Sequence, residues 1–293
     1  MAMEWDPVDT RFWLVQIFNG ISYGALLFLV GSGLSLIFGV MRIINLSHGA
    51  FFLLGGYVAL SVIWTSGSWA LAIPLAALVI AVLGLVMERV FLRPLGSDPL
   101  RQVLLTVGFA FLFQQAALDI WGGDNLDIIP PASLTQSVVI GGLYLPGYRI
   151  FMIGIATVIG VILWLVMEKT RLGAAIRATV DDAPMARGVG INTSRISMFI
   201  FALGAFLAAL GGVIGGAFLG IYPGLDFQIL PIAFAVVIIG GMGSLGGAAM
   251  GAIVVGLADN FGKALFPEIS YFTLYAPMAL ILAVRPTGLF GRE

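Results

Sequence analysis

Long apolar runs dominate the chain and restrict it to the interior of a membrane. Many of them approach or exceed the ~20 residues that a helix needs to cross a bilayer. Inside lipid, backbone N–H and C=O groups must be satisfied within the protein, so such runs predict helices. We therefore predict an all-α polytopic membrane protein with about eight transmembrane or re-entrant helices. The runs cover residues 12–40, 50–64, 70–91, 100–121, 150–167, 196–219, 229–257 and 271–284.

Composition supports this class and excludes several others. Hydrophobic residues make up 60% of the 293 residues and charged residues only 10%, whereas soluble domains average about 25% charged residues. We expect one transmembrane domain over residues 1–293. The net charge of −1 argues against a nucleic-acid partner, which requires a concentrated basic surface. With no cysteine and one histidine, neither a disulfide nor a metal site is expected.

Two polar or glycine-rich breaks interrupt the apolar pattern. Residues 41–50 are too polar for lipid contact and too short for a domain, and residues 240–247 are mostly glycine. Irregular backbone at membrane depth must be sheltered inside the protein. These segments therefore predict broken helices near the midplane. The second break leaves residues 229–257 as either one crossing or a re-entrant pair.

The polar segments between runs predict the topology. Residues 122–149 are the longest excursion on one side, and two short apolar runs around Gly141 and Gly142 predict a small extracytoplasmic β-hairpin. Positive charge favours the cytosolic side, and it concentrates between other runs. If residues 229–257 form a re-entrant pair, Arg285 also lies on that side. The remaining residues used for this orientation are Arg89, Arg93, Arg101, Lys169, Arg171, Arg177, Arg187 and Arg195.

The segment at residues 169–195 bears several charges and has a pattern of its own. Residues 173–180 predict a short helix. Asp182 can cap a second helix, with Pro184 in its first turn, and Gly188 and Gly190 offer the left-handed backbone that ends a helix. A structured polar loop on a membrane protein suggests a partner.

The sequence of this segment resembles a known family. Residues 173–192 look like the ATPase-contacting loop of permease subunits from ATP-binding-cassette (ABC) importers, closest to the LivH branched-chain amino acid type. Residues 45–49 and 240–248 resemble two further signatures of that family, in the same order along the chain. The resemblance implies an ATPase-coupling loop formed by Arg171, Gly173, Ala175, Arg177, Asp181, Asp182, Ala183, Ala186, Gly188, Gly190 and Asn192.

The resemblance also implies a function and partners. It implies a permease in a bacterial inner membrane that forms a path for branched-chain or other hydrophobic amino acids. Two cytosolic ABC ATPases, a periplasmic binding protein, surrounding lipid, and a LivM-type sister permease or a second copy would complete the transporter. No cofactor is expected on this chain, since the partner subunits would use the ATP. Relatives that carry urea, amides or aromatic acids leave the substrate open.

Polar groups in or beside the apolar runs are candidates for the translocation path. Each has a structural alternative: Asn45 and His48 can cap a helix end, and Gln114 can form an interhelical hydrogen bond. The candidates are Asn19, Tyr23, Asn45, Ser47, His48, Gln114, Gly243 and Ser244.

Two nucleotide-binding patterns are weak. Residues 241–246 match GxGxxG, but no alternation of strands and soluble helices surrounds them, and residues 256–264 lack the spacing and the Ser or Thr of a P-loop. We expect a transporter subunit without an ATPase site of its own, not an enzyme. An ion-coupled secondary transporter and a passive channel for small solutes are rival classes, and no proton or sodium relay is visible in the spans.

Overall fold

The computed structural model describes residues 10–96 and 98–291, and these residues are almost entirely helical. Their one sheet is an antiparallel hairpin of β1 (Ser137–Ile140) and β2 (Leu143–Pro146). This confirms the predicted all-α membrane fold with a small β-hairpin. The α-helices are α1 Thr10–Met41, α2 His48–Ser66, α3 Trp69–Met87, α4 Pro99–Trp121, α5 Ala132–Thr135, α6 Gly147–Lys169, α7 Arg171–Asp181, α8 Ala183–Gly188, α9 Thr193–Leu219, α10 Leu225–Gly240, α11 Leu245–Leu265 and α12 Ser270–Val284.

Seven segments within the described residues are long and apolar enough to cross a membrane. They are α1, α2, α4, α6, α9, α11, and α3 with its continuation to Leu95. That continuation passes through one π-helical turn, Glu88–Leu92, and one 3-10 turn, Arg93–Leu95. α10 and α12 are shorter apolar helices. The chain is therefore a multi-pass membrane protein.

Helix α1 is the centre of the packing and lies against α6, α9, α10 and α11. Its glycines let the neighbouring backbones approach closely, as small residues do in membrane helices. A β-carbon on Gly24 would lie only 2.7 Å from the carbonyl oxygen of Ala252 in α11. On Gly33 it would lie 2.7 Å from the carbonyl oxygen of Gly204 in α9. Glycines of α1 thus mark its contacts with α9 and α11.

The described basic residues separate onto two faces of the molecule. The basic face carries the ends of α1 and α3, the start of α4, helices α7 and α8, and residues 285–291; the hairpin face carries β1 and β2. Arg11, Arg149 and Lys263 lie towards the hairpin face. The residues on the basic face are Arg42, Arg89, Arg93, Arg101, Lys169, Arg171, Arg177, Arg187, Arg195 and Arg285.

The first break, residues 42–47, enters the protein interior. α2 begins at His48, whose Nε2 lies 2.9 Å from the carbonyl oxygen of Val30. Val30 precedes the end of α1 by eleven residues, about 16 Å along a helix. The chain therefore turns back to roughly the middle of α1 before α2 starts, as the pattern predicted.

The second break lies farther from the middle than the sequence predicted. A β-carbon on Gly39, two residues from the end of α1, would lie 2.8 Å from Gly243. Gly241 and Gly243 have φ values of 99° and 83°, a left-handed conformation that favours glycine. This tight turn joins α10 to α11 at the basic face rather than at the midplane.

The turn between α10 and α11 shows how residues 229–257 are arranged. α10 begins inside the protein, where Asp226 lies beside Gly49, and reaches the basic face; α11 then crosses to the hairpin face. After α12, the N–H groups of Leu289 and Phe290 donate to the carbonyls of Ile239 and Gly240, at 2.9 and 3.0 Å. The re-entrant arrangement is the observed one, and residues 285–291 lie at the basic face.

The close contact between α9 and α2 yields a stability prediction. A β-carbon on Gly212 would collide with the carbonyl oxygen of Phe52, so Gly212→Ala should destabilise the protein by about 1–3 kcal/mol through overpacking. Thermal unfolding in detergent measures this effect. Gly154→Ala is the control, because open space surrounds Gly154 on α6. Equal melting temperatures for the two variants would contradict close packing at Gly212.

Candidate coupling segment and translocation path

Helices α7 and α8 form the segment predicted to bind a partner. Thr170 Oγ1 accepts the N–H of Gly173 at 3.1 Å and caps α7. Asp182 Oδ1 accepts the N–H of Met185 at 2.9 Å and caps α8. Both predicted helices are present. The prediction for the end of α8 holds for Gly190, with φ 88°, but Gly188 is the last residue of the helix and is not left-handed.

The inner side of this segment is anchored to the helical core. Ile176 is 1% exposed and packs with Leu36, Leu163 and Ile200, which belong to α1, α6 and α9. Gly173 faces the carbonyl of Met167 so closely that a side chain would not fit. α7 is therefore held closely against the three long helices that it contacts.

Arg177 directs its guanidinium back to the end of α6, and its contact with a partner stays a prediction. Its guanidinium donates to the carbonyl of Met167 and lies 3.8 Å from Glu168 Oε2, both at the end of α6. Basic groups at a helix C-terminus satisfy its free carbonyls and oppose its dipole. Arg177 therefore holds α7 against the end of α6. Reversing its charge would change the folding of the segment as well as any binding of a partner to it.

The outer side of the segment is the exposed part of α8 and the residues that follow it. Met185 is 65% exposed and Val189 71% exposed, and we call Asp182, Met185, Arg187, Gly188 and Val189 the α8 tip.

The other predicted coupling residues differ in exposure. Ala186 is buried, and Asn192 caps α9 by accepting the N–H of Arg195 at 3.0 Å. Ala175 and Ala183 are half-buried, and Arg171, Asp181 and Gly190 are exposed.

The middle of the molecule contains a fully buried polar group, Asn45, Ser47 and His48. Asn45 Oδ1 accepts the Ser47 N–H at 3.1 Å and the Ser47 hydroxyl at 2.7 Å. Asn45 therefore closes the turn before α2, and His48 binds α1 rather than capping its own helix. Asn45 Nδ2 and His48 Nδ1 have no hydrogen-bond partner within the described chain. Such buried unsatisfied atoms are uncommon, and their role in a path stays a prediction.

The candidates on the α10–α11 turn and on α4 have different surroundings. Ser244 caps α11 through its hydroxyl, which accepts the Gly247 N–H at 3.0 Å, and its carbonyl accepts the Ser35 hydroxyl at 3.3 Å. Gly243 packs on Gly39. Gln114 is half-buried.

Asn19 and Tyr23 belong to a cluster near the hairpin face, where α1, α6, α9 and α11 converge. Arg149 donates to Asn19 Oδ1, and its guanidinium carbon lies 5.0 Å from the centre of the Phe218 ring. The Phe218 and Tyr23 rings are 6.3 Å apart. Lys263 Nζ lies 5.6 Å from the Tyr23 ring and 2.7 Å from Asp259 Oδ2. We call these six residues, Asn19, Tyr23, Arg149, Phe218, Asp259 and Lys263, the hairpin-face cluster.

Sequence reasoning missed Phe218 and the three charged residues of this cluster, Arg149, Asp259 and Lys263. The available signal was their charge, since basic residues are rare near the hairpin-face ends of the apolar runs. It also missed Glu88 and Asp226, both 2% exposed, each with one carboxylate oxygen that has no hydrogen-bond partner in the described structure. Charged groups at such positions in membrane proteins commonly mark functional sites.

The predicted path residues do not form one continuous site in this conformation. Asn19 and Tyr23 lie near the hairpin face, the Asn45 group lies near the middle of α1, and Ser244 lies at the basic face. Two apolar grooves of about 320 and 440 Å³ flank α6. Neither groove is lined by a predicted path residue. The larger of the two lies between α3, α6 and α9, and the smaller between α1, α6 and α11.

The described chain is a bundle of apolar helices with buried polar groups at several depths and a structured loop on its basic face. This architecture suits a multi-pass membrane transporter. The chain belongs to the family described as branched-chain amino acid transport system / permease component, whose model matches residues 16–282.

Known relatives match along nearly the full chain. The permease protein BraD of the Pseudomonas aeruginosa high-affinity branched-chain amino acid transport system is 30% identical over 297 residues, with 96% of each chain covered. LivH of Escherichia coli K12, a permease of the same kind of system, is 31% identical over 300 residues, again with 96% of each chain covered. LivM of the same strain is 27% identical over 288 residues, 89% of this chain and 67% of LivM. No solved structure matches the chain.

The contacts of Arg177 yield a prediction about the coupling segment itself. Arg177→Glu would place a carboxylate beside the Met167 carbonyl and Glu168, and at this partly exposed position the cost should be about 1 kcal/mol. Hydrogen exchange of residues 171–181 in the isolated permease should become several-fold faster. Arg187→Glu, on the exposed α8 tip, is the control and should leave that exchange unchanged. An unchanged rate in the Arg177 variant would show that its contacts with α6 are not important for the segment.

Proposed function

We propose that the chain is the transmembrane permease subunit of an ABC importer in a bacterial inner membrane. Its path carries branched-chain or other hydrophobic amino acids. The observation that carries the proposal is the similarity, over 96% of the chain, to permeases of high-affinity branched-chain amino acid systems. The buried, glycine-packed helices and the anchored loop are consistent with it.

The α8 tip is the proposed contact with a cytosolic ATPase. Its exposed apolar side chains, Met185 and Val189, lie beside the charges of Asp182 and Arg187. An exposed apolar patch with a charged rim is typical of a protein-binding site. Because Ile176 anchors α7 to α1, α6 and α9, closure of the ATPases on ATP would act on the ends of these helices.

The proposed assembly contains two ATPases, which use the ATP, and two permease subunits. A LivM-type sister permease is favoured over a second copy, because the chain is also similar to LivM. A periplasmic binding protein would deliver substrate to the hairpin face. Substrate can shift the equilibrium between inward and outward states only through its different affinity for them.

One observation supports an ion-coupled secondary transporter as a second candidate. The sequence shows no proton or sodium relay in the apolar runs. The structure, however, buries the carboxyl groups of Glu88 and Asp226, and in each of them one oxygen has no hydrogen-bond partner among the described residues. Uptake of labelled leucine into proteoliposomes separates the two functions. The ABC importer requires the ATPases and ATP, whereas an ion-coupled transporter works with the permease alone and an ion gradient.

Two substitutions on the α8 tip test the proposed ATPase contact. Met185→Asp with Val189→Asp should abolish co-purification of the ATPases and reduce ATP-driven uptake at least about tenfold, since hot-spot apolar contacts contribute 2 kcal/mol or more. Membrane insertion should persist, because both side chains are exposed. Arg195→Gln, exposed on α9 at the same face, is the matched control. Normal complex formation by the double variant would show that the ATPases bind elsewhere.

A further inference from the structure

Arg149 is the cation of the hairpin-face cluster that lacks an acidic partner. Lys263, the other cation, pairs with Asp259 at 2.7 Å. The described structure gives Arg149 one hydrogen bond, to the neutral side chain of Asn19, and a stacking contact with Phe218. No ion pair is found for it within residues 10–96 and 98–291.

The surroundings of Arg149 favour an anion. The residue is half-buried, and a cation removed from water is costly unless it is paired. Its guanidinium carries five N–H donors in a planar fork, which matches a carboxylate in two parallel hydrogen bonds. Asn19 occupies part of that capacity. The guanidinium is turned towards α1 and α9, the deeply buried helices, rather than towards lipid.

An apolar groove begins one helical turn from this cation. It lies between α1, α6 and α11 and has a volume of about 320 Å³. Ile153, four residues after Arg149, and Ile21, two after Asn19, form its near end, and Phe28 and Gly160 line it farther in. Arg149 and Ile153, four residues apart, lie on the same face of α6, so the cation is one turn beyond the end of the apolar groove.

We propose that Arg149, positioned by Asn19 and Phe218, binds the α-carboxylate of the transported amino acid, whose aliphatic side chain lies in the groove. This assignment rests on the proposed function and names the recognition site for that substrate. A hydrophobic amino acid supplies both parts of the match, a carboxylate for the guanidinium and a branched hydrocarbon for the cleft. The site faces the side from which an importer receives its substrate.

Binding of labelled leucine to the purified transporter complex in nanodiscs tests the assignment. The competitors are 4-methylpentanoate, which has the carboxylate but no amine, and 3-methylbutylamine, which has the amine but no carboxylate. In the wild type the acid should compete better than the amine. Arg149→Met keeps the apolar stem on Phe218 and removes the charge; it should weaken leucine binding about tenfold or more and abolish the advantage of the acid. Arg149→Lys should retain part of it.

Two further variants separate recognition from structure. Lys263→Gln removes the other cation of the cluster and should preserve the advantage of the acid. Phe218→Leu removes the stacking contact and keeps the guanidinium, so the acid should still compete better than the amine. The proposal is overturned if Arg149→Met binds leucine as the wild type does. If Arg149→Met weakens the binding of the acid and of the amine equally, Arg149 is a structural link. If Arg149→Met releases phospholipid without a change in leucine binding, Arg149 is a lipid site.

The outcome is distinguishable from failure of the proposed function. If the wild-type complex shows no ATP-dependent uptake of leucine, the function itself is wrong. If the wild type takes up leucine while Arg149→Met keeps both its affinity and the acid preference, only this site is wrong.

Discussion

Close approach of helix backbones at glycine is the constraint on which this structure depends. Helices in lipid have no hydrophobic driving force for association, so they gain stability from contact area and from satisfied polar groups. Gly24 and Gly33 bring α1 against α11 and α9, with β-carbon positions 2.7 Å from the facing carbonyl oxygens. These contacts allow α1, α9 and α11 to bury polar groups that lipid would not tolerate. The same contacts leave little freedom for one of these helices to slide along another.

The coupling segment depends on that core. α7 is held by Ile176 between α1, α6 and α9 and by Arg177 on the last carbonyls of α6. The α8 tip lies on the exposed side of the segment, which therefore has an anchored inner side and an exposed outer side. A partner that moves the α8 tip would therefore act on the ends of α1, α6 and α9 at once. In this way a movement at the basic face could change the arrangement of helices inside the membrane.

Local chemistry was predictable from the sequence, and distant contacts were not. The predicted cap Asp182 acts within three residues of its own position, so a short pattern indicates α8 correctly. Thr170, which caps α7 over the same distance, was not predicted. The depth of the second break was mispredicted because it depends on Gly39, some two hundred residues earlier. Arg177 illustrates the same limit, since a helical wheel cannot show that its charge returns to α6. Arg149 was missed because its partners, Asn19 and Phe218, come from other helices.

The polar contacts of α1 indicate where a path can open. Near its start Asn19 accepts from Arg149, in its middle the Val30 carbonyl meets His48, and near its end Ser35 donates to Ser244. A close-packed core resists continuous deformation, so α1, α9 and α11 should move as one body. The contacts that can separate are those with the helices around that body, and α6 is the one that both bears Arg149 and continues into the coupling segment. A rotation of α6 against α1 would thus change the hairpin-face cluster and the ATPase contact in one movement, which links substrate recognition at one face to ATP use at the other.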